Sequence, residues 1–249
     1  MHFENPDTIL APDGVWYAIS RSGGFLKSKI RILLKHLVPL SVYCLFFAWL
    51  GLSWKPANEK IRTGSPVSIH TISGIESSEY ADNPYASLYE AAGLKKLGLS
   101  RAAFDYACKG YKELMEKKQV RRDDYLTICD FSQSARRKRM YVIDMQEQRV
   151  LINTYVAHGR NSGSEYATRF SNRAESHQSS LGFYVTRNTY YGEHGLSLRV
   201  TGMEPGFNDL AMQRAIVVHG ASYIGAGSMG RSYGCPAVPQ KESRRIIQT

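Results

Sequence analysis

The stretch MYVIDMQEQRVLINTYV, residues 140–156, reads as two short strands around a polar turn. β-Branched and aromatic residues fill both arms, and Met145, Gln146, Glu147 and Gln148 separate them, which suits a β-hairpin. Outward from it the same texture recurs. YLTICDF (125–131) precedes the hairpin; LGFYVTRNTYY (181–191), LSLRVTG (196–202) and AIVVHG (215–220) follow it. Each run is short and bounded by turn residues. Many strands with few helices predict a mainly β, α+β domain over residues 123–249, sandwich- or barrel-like. Tyr184, Tyr190 and Tyr191 are expected on a sheet face.

Residues 87–122 read as a helical lead-in packed on that domain. Ser100 is the expected N-cap. Phe104, Ala107, Tyr111, Leu114 and Met115 fall at helical spacing, and Lys117 and Lys118 close the last turn. The sequence ends in SRRIIQT, where a further short helix begins. Residues 55–86 are polar, with Ser, Gly, Asn and Pro scattered through them, and read as a linker.

Residues 37–54, LVPLSVYCLFFAWLGLSW, carry no charge and follow Arg21, Lys27, Lys29, Arg31 and Lys35. A basic flank ahead of an apolar run is the pattern of a segment inserted with its N-terminus in the cytoplasm. No small-x-small cleavage site follows, which favours an uncleaved signal anchor over a cleaved signal peptide or a buried core helix. On that reading residues 1–36 form a cytoplasmic basic segment. The remainder then lies on the periplasmic or cell-envelope face, held to the inner membrane. The formal net charge of +10 includes the run Ala135-Arg136-Arg137-Lys138-Arg139, expected as a solvated turn. For an exported chain, an anionic wall polymer or lipid headgroup is a better partner than nucleic acid.

There are four cysteines: Cys44, Cys108, Cys129 and Cys235. No CxxC or finger-like Cys/His spacing points to structural zinc. Cys108 and Cys129 are candidates for a disulfide in an oxidising compartment, which would leave Cys235 as the odd thiol. Cys235 sits in GRSYGCPAVP (230–239), where Gly, Ser and Pro bend the backbone around one side chain. His219 ends a strand sixteen positions earlier, and the intervening GASYIGAGSMGRSYG holds five glycines. A thiol becomes a useful nucleophile when an imidazole accepts its proton. The glycine-rich loop offers backbone N–H groups, notably of Gly234 and Cys235, to an oxyanion.

These residues also carry a family resemblance. His219-Gly220 followed by Ser232-Tyr233-Gly234-Cys235 resembles the His…Ser-His-Gly-Cys signature of the murein L,D-transpeptidase catalytic-domain family (YkuD-type), in its Gly-Cys-Pro branch. VIDMQEQRVLINTYVAHG resembles the family's opening hairpin, and SHQSSLGFYVT its Thr-Pro-x-Gly-x-Phe segment. The resemblance implies an L,D-transpeptidase-like β-sandwich of mixed sheets with peripheral helices, no cofactor and no metal. It further implies acyl transfer on peptidoglycan stem peptides, with Cys235 as nucleophile and His219 as base. Gly234, Ser232 and Tyr233 would support the oxyanion and the loop. The outcome would be cross-linking, or trimming by carboxypeptidase or endopeptidase action.

Two departures from the family pattern matter. Tyr233 replaces the signature's second histidine, which leaves the base role to His219. Ala237 replaces the arginine usual two positions after the cysteine, so Arg231, Arg214 or Arg160 is the candidate cation. Gly220 and His158 complete the candidate substrate contacts; a hydrogen-bonded loop or core position is the other reading of His158. His158, His177, His194 and His219 form no i, i+4 helical pair and no HExxH, which argues against a zinc hydrolase. The alternative to an enzyme is a non-catalytic peptidoglycan-binding module on the same fold. A Cys235 pKa below the ordinary value of about 8.5 is expected of the enzyme.

Overall fold

The computed structural model describes residues 15–19, 83–227 and 229–249. Its elements in chain order are β1 (Val15–Ile19), α1 (Ala86–Ala91), α2 (Leu94–Leu97), α3 (Arg101–Glu116), β2 (Tyr125–Asp130), β3 (Met140–Asp144), β4 (Arg149–Thr154), β5 (Gly182–Gly192), β6 (Gly195–Gly202), β7 (Val217–Ala221), β8 (Ala237–Pro239) and α4 (Gln240–Gln248). The hairpin predicted from residues 140–156 is β3–β4, antiparallel with an irregularity between Val142 and Ile143. α3 starts at its predicted cap: Ser100 Oγ accepts from the Ala103 N–H at 3.2 Å, filling one open amide of the first turn. Gly110 lets α3 lie directly on the Phe183 ring, which any Cβ at that position would overlap.

The strands pair in the order β4-β3-β2-β1-β5-β6-β7-β8. β1 runs parallel to β2 and antiparallel to β5, so it joins the ladder β4-β3-β2 to the ladder β5-β6-β7-β8. The mainly β, α+β expectation is met, with one continuous mixed order among the described residues. Neither β1 nor β8 is among the strands read from the sequence. β8 has three residues, too few for a periodic signal. β1, VWYAI, has strand-like composition, but it lies inside the stretch assigned to a separate basic segment. The apolar run 37–54 lies outside the described residues, as does residues 55–82 of the linker. Among the described residues no helix is long and apolar enough to cross a membrane.

Alternating side chains give the sheet two cores. Leu126, Ile128, Tyr141, Ile143 and Phe183 cluster with α1, α2 and α3. Cys129, Met140, Val142, Leu198, Val218 and Val238 cluster with Ile246 and Ile247 of α4. Cys108 belongs to the first cluster and Cys129 to the second, and both are free thiols, so the candidate disulfide is not formed. The basic run 135–139 is not a uniform solvated turn either. Arg136, Arg137 and Lys138 are exposed, whereas Arg139 is fully buried.

Candidate active site

β7 and β8 run parallel with His219 opposite Ala237, two residues beyond Cys235. The pairing brings both candidate catalytic residues to neighbouring strands. His219 is 3% exposed, and its Nδ1 lies 3.0 Å from the Gly220 carbonyl. A carbonyl only accepts, so Nδ1 carries the proton and Nε2 is left with its lone pair. The ring stacks on His194 from the β5–β6 turn, with centroids 4.1 Å apart and planes 20° apart. Burial pulls the imidazole below its ordinary value; the Gly220 carbonyl opposes this and His194 adds to it. At neutral pH His219 is therefore an uncharged base.

Cys235 is half-buried, and its Sγ donates to the Ala215 carbonyl at 3.8 Å. Burial pushes the thiol up, while the Val217 N–H and the Arg214 guanidinium oppose that shift. This direction reverses the lowered thiol expected from sequence. The pair is a neutral thiol and a neutral imidazole, each bonded to a backbone carbonyl rather than to the other.

The loop that presents Cys235 is built on glycine. Gly234 has φ of +119°, and a Cβ there would stand 2.7 Å from the Gln178 carbonyl and 3.1 Å from Arg214 Nη2. Its carbonyl accepts from Ser179 Oγ at 3.2 Å, and Ser179 Oγ accepts from the Gly159 N–H at 3.0 Å. Ser232 Oγ accepts from the Gly234 N–H at 3.2 Å. That amide is thus occupied, and the Cys235 N–H, without a partner among the described residues, is the one left for an oxyanion. After Pro236 the Ala237 N–H bonds back to the Cys235 carbonyl at 3.0 Å, a three-residue turn that swings the chain into β8. Gly234→Ala is expected to cost about 1–3 kcal/mol and to slow Cys235 alkylation, as read by thermal melting and iodoacetamide labelling.

Beneath the loop, Arg139 donates to the Val156 carbonyl through Nε and Nη2 (3.1 and 2.9 Å) and to the Gln133 carbonyl through Nη1 (2.9 Å). Its Nη2 also donates to His158 Nδ1 at 2.7 Å, and its guanidinium lies 5.0 Å from the Phe131 ring centroid. With Nδ1 accepting, the His158 proton sits on Nε2 and is donated to the Gly163 carbonyl at 3.1 Å. Gly230 passes against this ring with no room for a Cβ, and the His158 carbonyl takes the Ser232 N–H at 3.3 Å. His158 is fully buried with both ring nitrogens bonded inside the protein, in keeping with the hydrogen-bonded core reading.

Burial, then Arg139, pull the His158 imidazole down to about 4. The unfolded chain, with an ordinary histidine near 6.5, therefore takes up the proton first as pH falls. The stability gained by keeping His158 neutral is full above pH 6.5 and is lost between pH 6.5 and about 4. At about 1.4 kcal/mol per pH unit the loss is at most about 3.5 kcal/mol. The melting temperature is expected to fall across that window, and less steeply in His158→Gln, as followed by calorimetry.

Of the three candidate cations, Arg214 is the one whose charge acts on Cys235. It is half-buried and clamps residues 171–180 against Gly234, donating to the carbonyls of Ser171 (2.8 Å) and Gln178 (2.6 Å) and to the hydroxyls of Ser180 and Ser176. Arg160 is exposed and lies over Tyr233, and Arg231 is exposed. Gly220 faces α4, where a Cβ would stand 2.6 Å from Gln240 Oε1; what it offers the site is its carbonyl. The sequence reading gave Arg139, Ser179 and His194 no part in the site, although Ser179 lies in the SHQSSLGFYVT segment that carries part of the family resemblance. Among the described residues no group of three His, Cys, Asp or Glu side chains is placed to hold a metal ion.

No curated protein and no solved structure matches the chain. The model of the L,D-transpeptidase catalytic domain matches residues 95–249. That match spans α3, every strand from β2 to β8 and both His219 and Cys235, and the chain belongs to the L,D-transpeptidase catalytic-domain family.

Proposed function

We propose that Cys235 forms a thioester with the L-centre carbonyl of the diaminopimelate residue in a peptidoglycan tetrapeptide stem, with His219 as base. The observation that carries this reading is the Nδ1–H bond of His219 to the Gly220 carbonyl, which leaves a neutral Nε2 as acceptor on the strand paired with the one Cys235 leads into. Nε2 takes the Sγ proton as the S–C bond forms. The Cys235 N–H and the Arg214 charge meet the oxyanion. The C–N bond then breaks, and His219 returns the proton to the departing D-Ala amine. An amine of a second stem attacks the thioester and gives its proton to His219; the C–S bond breaks and the thiol is restored. Water in place of that amine yields a trimmed tripeptide.

Export through residues 37–54 belongs to the same reading and is supported by the charge pattern around that run. A single crossing there puts residues 15–19 and 83–249 on opposite sides of a membrane, so a molecule anchored in this way leaves β1 out of the sheet. Protease added outside spheroplasts separates the two arrangements, since only the anchored one loses residues 83–249 while keeping the N-terminus.

The enzyme reading is tested by incubating the full-length protein with tetrapeptide muropeptides and following products by mass spectrometry, with Cys235→Ala alongside. Stem dimers joined through diaminopimelate, or tripeptides, that appear only with the intact cysteine support it. Binding to sacculi that is unchanged in Cys235→Ala, with no product from either protein, moves the non-catalytic module ahead.

A further inference from the structure

Beside the nucleophile loop three side chains with no part in the acyl-transfer steps are locked together. The Arg160 guanidinium lies over the Tyr233 ring, 4.6 Å from its centroid. His177 packs on the same ring at 4.6 Å and 48°. Arg160 Nη2 donates to His177 Nδ1 at 2.9 Å. The backbones are tied as well: the Arg160 N–H donates to the Ser232 carbonyl at 2.8 Å, and the Asn161 N–H to the His177 carbonyl at 3.1 Å. Tyr233 is 62% exposed although it stands two residues before Cys235. Glu175 faces His177 Nε2 at 3.6 Å, and among the described residues no carboxylate lies within ion-pair distance of Arg160.

A guanidinium held over a phenol ring and bonded to one imidazole nitrogen keeps further N–H donors for a ligand, and its fork matches a carboxylate in geometry and charge. The stack on Tyr233 and the bond to His177 fix its orientation before any ligand arrives, which lowers the ordering cost of binding. We infer that Arg160, held by Tyr233 and His177, is a subsite for a free carboxylate of the acyl-donor peptide and sets donor specificity. The inference rests on the acyl-transfer reading for the identity of that donor. A tetrapeptide stem carries three free carboxylates: one on the departing D-Ala, one on the far centre of diaminopimelate and the α-carboxylate of the γ-linked D-Glu. Amidating them one at a time tells them apart.

The test is calorimetric binding to full-length Cys235→Ala, which leaves the peptide intact. The probes are the tetrapeptide free acid and its three monoamides, each measured also with Arg160→Met and Arg160→Lys added. One amide is expected to bind on the order of tenfold more weakly than the acid, and that amide identifies the carboxylate. In Arg160→Met acid and amide are expected to bind alike, while Arg160→Lys, keeping the charge without the planar edge, retains part of the difference. Three results would overturn the subsite: all three amides binding as tightly as the acid, a preference that survives Arg160→Met, or no binding of the peptide. Turnover by the protein with Cys235 intact stands apart from these. An Arg160-dependent preference without turnover sinks the acyl-transfer reading and leaves the subsite.

Discussion

Cys235→Ala is expected to yield no detectable acyl-transfer product, and His219→Ala to fall about a thousandfold, within the range for losing a general base. The two losses have different causes. Without Sγ there is no atom to form the thioester. Without the imidazole the thiol remains but holds its proton, because burial pushes its pKa up and leaves only the Val217 N–H and Arg214 to favour the thiolate. His219→Ala should therefore still be alkylated at Cys235 at high pH, whereas Cys235→Ala loses the label at that position.

The sign of the pH dependence follows from the same geometry. Iodoacetamide labelling of the resting protein should climb with pH and reach its midpoint above the ordinary value for a cysteine, since the thiolate is the reacting form. The acid limb of kcat/KM should lie below pH 6.5, where His219 loses its lone pair to a proton. Labelling that stays fast and flat down to pH 5 would mean a resting thiolate–imidazolium pair, and the neutral-pair mechanism would be wrong.

Arg139→Met is expected to lose about 3–5 kcal/mol, as when one partner of a buried charged network is removed. Domains of this size hold only about 5–15 kcal/mol in total. The substitution strands the Val156 and Gln133 carbonyls and His158 Nδ1, all bonded to this one guanidinium. Burial lowers the guanidinium only to about 10, so it stays charged at neutral pH. Arg139→Lys should rescue little, because one ammonium cannot span donors set in a fork. Urea titration measures the loss. An unchanged midpoint in Arg139→Met would show that the guanidinium does not pin the loop. Because His158 carries Ser232 through its carbonyl, slower Cys235 alkylation should accompany the fall in stability.

What the sequence disclosed and what it withheld divide along physical lines. The hairpin at 140–156 is legible because strand periodicity and a polar turn are both local. Ser100 is legible because capping is settled within one helical turn. Cys235 and His219 stand out because glycine, serine and proline mark the backbone around them. Arg139 is the opposite case. It sits in a row of basic residues and looks like its exposed neighbours, and only the arrival of Val156, Gln133 and His158 around it makes it a core residue. The proton on His219 was equally out of reach, since it depends on where the Gly220 carbonyl points. The thiol direction came out reversed because a spacing of sixteen residues says nothing about how closely protein surrounds the sulfur.

The neutral resting state of Cys235 also bears on its survival between turnovers. Peroxides and soft electrophiles attack the thiolate, and the first oxidised form, a sulfenic acid, is rescued when another thiol condenses with it. Cys108 and Cys129 are buried in separate cores and offer no such partner. On the acyl-transfer reading, keeping the proton on sulfur until a donor peptide is seated guards Cys235 against irreversible oxidation that neither of the other two described thiols can repair.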